Sequence, residues 1–97
     1  MAKVSVIATI KAKDGRGDDI VNAFSAAAPV VAQEAGTEAY ALHRNANDPN
    51  VFYVIELYSD QAAFDAHMAG DGVKAFGGGL GDAIDSFDMQ FATPVGD

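Results

Sequence analysis

The chain reads as an α+β protein of the split βαβ kind, a four-stranded antiparallel sheet with its helices on one side. Three observations predict this. Strand–helix–strand runs occur twice in succession, over residues 3–44 and 51–93. The helical stretches carry apolar residues at spacings of three and four, and the strands alternate. The third strand is apolar on both faces, which in an antiparallel sheet means that both faces are covered.

The elements follow in order. Residues 3–11, "KVSVIATIK", place Val4, Val6, Ala8 and Ile10 on one strand face. "KDGRGDD" is turn chemistry, and Asp18 or Asp19 is positioned to cap the helix that follows. In that helix Ile20, Phe24, Ala27, Ala28 and Val31 form an apolar stripe. Pro29 should kink or split it, and Gly36 should end it. Residues 37–44 form the second strand, and "NANDPN" is a polar turn. In the third strand, residues 51–59, Val51, Tyr53, Ile55 and Leu57 point one way, and Phe52, Val54 and Tyr58 the other. Ser59 or Asp60 caps the next helix, "DQAAFDAHMAG"; "DGVKAF" adds a turn or two, and "GGGLGD" breaks the pattern. The last strand, "AIDSFDMQFAT", carries Phe87, Met89 and Phe91 on one face. Two short helices can cover one sheet face only, so the other calls for a second molecule, most simply a second copy in a homodimer.

Composition narrows the function. A chain of 97 residues is expected to form one domain with a modest core over 1–97. It has 14 acidic residues against 6 scattered basic ones, a formal net charge of −8. Phosphate backbones and anionic membranes bind clustered Lys and Arg, so neither nucleic acid nor membrane is an expected partner. Without cysteine there are no disulfides, thiolate metal ligands or thiol catalysis. Lys3 leads at once into alternating strand sequence, with no signal-peptide pattern and no apolar run of membrane-spanning length. A cytoplasmic location is the expectation.

"YALHR…DPNVFYVIELYSDQAAFDAHMAG…VKAF" resembles the antibiotic biosynthesis monooxygenase domain family, small dimeric α+β barrels that include quinol and anthrone oxygenases. The resemblance is densest at Glu56, Tyr58 and, nine residues after Tyr58, His67. It implies a ferredoxin-like protomer, paired sheets in a dimer, and a cavity between sheet and helices. It further implies oxygenation of a small aromatic substrate by dioxygen, with no metal, flavin or haem as cofactor. On that reading Tyr58 and His67 hold the substrate's phenolate, His43 is a further candidate for proton transfer, and Phe24, Phe64, Phe76 and Phe87 line the pocket. The chain departs from the family at two places. Tyr58 stands where most members have Trp, and Gly72 where many have a second His. A similar isomerase branch acting on small phosphorylated sugars would want that His and a basic pocket. Haem-degrading relatives carry a ligand His where this chain has Phe76 and Gly77, neither of which binds iron.

Each polar residue also has a plainer reading. Glu56 lies among apolar neighbours on its strand face and must be hydrogen-bonded there, which suits a scaffold role. His67 follows Phe64 by three and shares its helix face, as a satisfied core histidine also would. His43 sits near the hairpin, where surface or dimer-edge positions are common. His43, His67 and Glu56 lack an i, i+4 pair, so a metal site is not expected. "FGGGLGD" follows a helix and has no Lys-Ser/Thr, so it is read as a connection or gate at the pocket mouth rather than a phosphate loop. Two rival functions remain: a non-catalytic dimeric module binding a small hydrophobic molecule, and a related isomerase needing an acid–base pair facing across the cavity.

Overall fold

The computed structural model describes residues 2–96. The elements are β1 (Val4–Ala12), α1 (Gly17–Val31), β2 (Thr37–Arg44), β3 (Val51–Tyr58), α2 (Gln61–Met68), α3 (Asp71–Leu80) and β4 (Ile84–Ala92). The strands form one antiparallel sheet in the order β2-β3-β1-β4. This is the α+β, ferredoxin-like arrangement that the order of elements predicts.

Alternation decides which side chains face the helices. In β1, Val6, Ala8, Ile10 and Ala12 are buried, while Ile7 and Lys11 are exposed. The register sets Val6 opposite Glu56, Ala8 opposite Val54 and Ile10 opposite Phe52. On the other flank Phe91, Met89 and Phe87 meet the same three β1 residues, and Tyr40 of β2 pairs with Glu56. The main core forms where this face meets α1 and α3, with Ile10, Ile20, Phe52 and Leu80 among its members. Full burial of side chains of that size contributes roughly 1.5–3 kcal/mol each.

The opposite face carries Ile7 beside Ile55, both 41% exposed, with Ser5 paired to Leu57 and Thr9 to Tyr53. No helix covers that face among the described residues; the alternating burial of β1 and β3 places all three helices on the other.

Four details differ from the sequence reading. Helix α1 starts at Gly17, with Arg16 at the N-cap and no side-chain cap. Asp18 and Asp19 stand instead in the first turn, where their charges favour the helix N-terminus and Asp19 takes Arg16 Nε at 2.5 Å. Pro29 does not split α1, because it lies in the last turn, and Ala32 N–H still reaches Ala28 O at 2.9 Å. Gly36 does not end the helix, which stops at Val31. Gly36 is instead a close-approach residue, where a Cβ would lie 2.3 Å from Ala63 Cβ. Finally, α3 runs through the glycine run to Leu80 rather than breaking at it. Packing overrides propensity here: a Cβ at Gly72 would stand 2.4 Å from Val31 Cγ2, so the missing side chains let α3 lie close on α1. Asp60 caps α2 as expected, its carboxylate accepting from Ala63 N–H at 2.8 Å.

Candidate functional site

Between the sheet and α3 lies a cavity of about 270 Å³. Its floor comes from alternating strand positions, Ala8 and Ile10 of β1, Val54 of β3 and Phe87 and Met89 of β4. Val73, Phe76 and Leu80, on one stripe of α3, form the roof. An apolar cavity of roughly 150 Å³ holds benzene, so this one has room for about two fused rings. Its polar groups gather at one end of the strands, where Tyr40, Glu56 and His67 meet.

His67 reaches that end because α2 presents residues three apart to the sheet, and Phe64 and His67 are the two buried residues of the helix. The imidazole is 3% exposed. Its Nδ1 lies 2.7 Å from Glu34 Oε1, and the Thr37 hydroxyl donates to the same oxygen at 2.7 Å. Its Nε2 lies 4.0 Å from Glu56 Oε1, beyond hydrogen-bond length. Glu56 accepts instead from the Tyr58 hydroxyl. The His67 ring also packs tilted against Tyr40, with centroids 5.2 Å apart.

Burial sets the charge states around the imidazole. It pushes the Glu56 carboxyl above its ordinary range, outweighing the Tyr58 hydrogen bond and the nearby His67, which act in the opposite sense. Burial raises Tyr58 as well, reinforced by its hydrogen bond to Glu56. Tyr40 is likewise raised, first by burial and then by the charges of Glu56 and Glu34. Both phenols therefore keep their protons, and Tyr58 donates its own to Glu56. Among the described residues no group of three His, Cys, Asp or Glu comes together in a way that could hold a metal ion.

Of the residues singled out in the sequence, His67, Phe76 and Phe87 line the cavity. Phe24 stands behind the wall, stacked on Tyr40 at 5.0 Å and edge-on to Phe76. Phe64 packs edge-on against Tyr58 and Phe91. Tyr58 is fully buried beside the cavity, with its hydroxyl taken by Glu56. Glu56 has the buried, hydrogen-bonded setting expected of a scaffold residue, yet it also faces the cavity. His43 is exposed, paired with Tyr53 on the other face of the sheet, and does not join this cluster. The glycine run is no loop at the mouth; Gly77 lines the cavity from within α3. Two contributors went unrecognised. Tyr40 is two positions from Leu42 on an alternating strand, a pattern that could have revealed it. Glu34 sits in the turn after α1, and no local signal joins it to His67, 33 residues later.

Fold and cavity thus define a ferredoxin-like α+β protein with a buried histidine at the polar end of an apolar pocket. The chain belongs to the antibiotic biosynthesis monooxygenase family, whose model matches residues 3–78. Among solved structures it is similar to a Pseudomonas aeruginosa protein, with 25% identity and a TM-score of 0.89 over 98% of this chain and 96% of that one. It is also similar to a candidate antibiotic biosynthesis monooxygenase of Caulobacter crescentus, with 28% identity and a TM-score of 0.86 over 97% and 91%. A Shewanella oneidensis protein, 23% identical with a TM-score of 0.87 over 96% and 91%, shares the fold. No curated protein matches the chain.

Proposed function

We propose that the chain is a monooxygenase that inserts one atom of dioxygen into a small electron-rich aromatic with an acidic hydroxyl, with no resident metal, flavin or haem. The observation carrying this reading is His67, buried at the polar end of the cavity with Nδ1 on Glu34 and Nε2 beside Glu56. Membership of the family and likeness to a candidate monooxygenase support it.

His67 Nε2 takes the proton of a bound phenol. The resulting phenolate passes an electron to dioxygen, and the two radicals combine at the carbon para to the oxygen. The proton held by His67 returns to the peroxide, which then eliminates one water: the para hydrogen leaves as a proton and the outer oxygen as hydroxide, so the O–O bond breaks and a quinone C=O remains. For a phenol with a para hydrogen the sum is one substrate and one O2 giving one quinone and one water. The apolar walls keep water from the anion, and the Tyr40 hydroxyl is a donor at the same end. Tyr58 acts at one remove, holding Glu56 in place. We further propose that a second copy of the chain covers the open sheet face around Ile7 and Ile55.

A second reading, isomerisation by proton transfer, draws on the neighbouring Glu56 and His67. The two stand side by side at one end of the cavity, not across it. Oxygen uptake separates the readings. Purified protein with chelator is offered one-, two- and three-ring phenols and quinols, with autoxidation subtracted. The oxygenase reading expects uptake on two-ring compounds and a loss of about 10²- to 10⁴-fold in His67→Ala. No uptake on any compound, with carbon-bound hydrogen exchanging into D2O under anaerobic conditions, would establish the isomerase. Binding with neither reaction would leave a binding module.

A further inference from the structure

We propose that Glu34, which stands outside the cavity, is a positioning residue that fixes the His67 proton on Nδ1 and so presents a bare Nε2 to the ligand. The proposal rests on the reading of His67 as proton acceptor only for its kinetic consequence.

The geometry carries it. An ionised carboxylate only accepts hydrogen bonds, so the nitrogen 2.7 Å from Glu34 Oε1 must be the donor. That distance falls in the range of charge-assisted bonds. The Thr37 hydroxyl donates to the same oxygen at 2.7 Å, so Oε1 is held from two sides. The turn holds Glu34 at both ends of its backbone, since its N–H donates to Val31 O at 3.0 Å and its C=O accepts from Thr37 N–H at 3.3 Å. Its other oxygen lies in a slot by α2 and α3 where neither neighbour carries a side chain. A Cβ at Gly70 would come within 3.4 Å of Oε2, and one at Gly72 within 3.6 Å. With its proton on Nδ1, neutral His67 directs a lone pair from Nε2 toward the gap before Glu56, 4.0 Å wide. A ligand hydroxyl set to the side of that gap, at about 2.8 Å from Nε2, finds an acceptor there. Were the proton on Nε2 instead, His67 would turn a donor to the ligand and leave Nδ1 facing Glu34 lone pair to lone pair.

The tautomer can be read directly. Long-range ¹H–¹⁵N correlation spectra of ligand-free, ¹⁵N-labelled protein are recorded at a pH where the imidazole is neutral. The chain has 2 histidines, so the spectrum of His43→Ala assigns His67 by elimination. The expected result is a protonated Nδ1 and a bare Nε2 for His67, with a shift toward the other tautomer in Glu34→Leu. In turnover Glu34→Leu should lower kcat about ten- to a hundredfold with KM within about twofold, and Thr37→Val should act in the same direction but less. A wild-type His67 protonated on Nε2 overturns the proposal, as do an unchanged tautomer and kcat in Glu34→Leu. If Glu34→Leu does not fold, the wild-type spectrum and Thr37→Val decide. Because the tautomer is read without substrate, the expected spectrum beside a protein that oxidises nothing upholds the role of Glu34 and removes the oxygenase reading.

Discussion

Glu56 and His67 illustrate how differently two buried polar residues can be accommodated. Glu56 is 6% exposed, and its burial raises the carboxyl above its ordinary value of 4.5. The folded state therefore keeps a proton that the unfolded chain gives up, and the stability linked to it is fully present below pH 4.5 and is lost as pH rises through the folded value. Glu56→Gln keeps an acceptor for the Tyr58 hydroxyl and cannot ionise. Its melting temperature should match that of wild type in acid and exceed it increasingly toward neutral pH. Melts across that range check this, and a constant gap would mean that Glu56 is not held by burial in the way described. His67, by contrast, has a carboxylate from a distant turn on one nitrogen. The sequence revealed that both residues lie on buried faces, through strand alternation for Glu56 and the Phe64–His67 spacing for His67. It could not reveal Glu34, because a contact between a turn and a helix 33 residues away has no period. That limit did not apply to His43, which alternation with Tyr40 and Leu42 sets on the opposite face of β2.

Helix α3 is the element in which local and tertiary preferences conflict. Its glycines Gly77, Gly78 and Gly79 read as a break, since each costs about 1 kcal/mol against alanine within a helix. The structure separates those that packing requires from those it does not. Gly72 and Gly79 face α1, where a Cβ would stand 2.4 Å from Val31 Cγ2 and 3.0 Å from Ala23 Cβ respectively, whereas a Cβ at Gly78 meets nothing within 4 Å. Gly78→Ala should therefore stabilise the protein by roughly 0.5–1 kcal/mol, and Gly72→Ala should destabilise it. Chemical denaturation of the two variants checks the pair, and equal effects would contradict the close approach of α3 to α1. The family's frequent His at the Gly72 position could not be restored without displacing Val31. Strand boundaries and the Asp60 cap were legible because they depend on nearest neighbours; the course of α3 was not, because it depends on α1.

At the scale of the whole molecule, the order of elements was enough to predict the sheet, since few connections satisfy two successive strand–helix–strand runs. The apolar character of both β3 faces led to the expectation of a partner, and the open face bears that apolar surface. The proposed homodimer predicts that sedimentation gives twice the mass of the 10.0 kDa chain, and that Ile55→Asp shifts it to monomer with the helix-side core intact. A monomeric wild type would mean that no second copy covers that face. The cavity lies on the opposite face, so its chemistry can be tested on its own terms. The step on which that chemistry turns is the transfer of a bound phenol's proton to His67. The absorption spectrum of 1-naphthol bound under anaerobic conditions, at a pH below that at which the free naphthol ionises, reads this transfer. Proton transfer to His67 should give a naphtholate spectrum with wild-type protein and a neutral naphthol spectrum with His67→Ala at equal occupancy. Neutral naphthol on both, or naphtholate on both, would mean that His67 is not the proton acceptor.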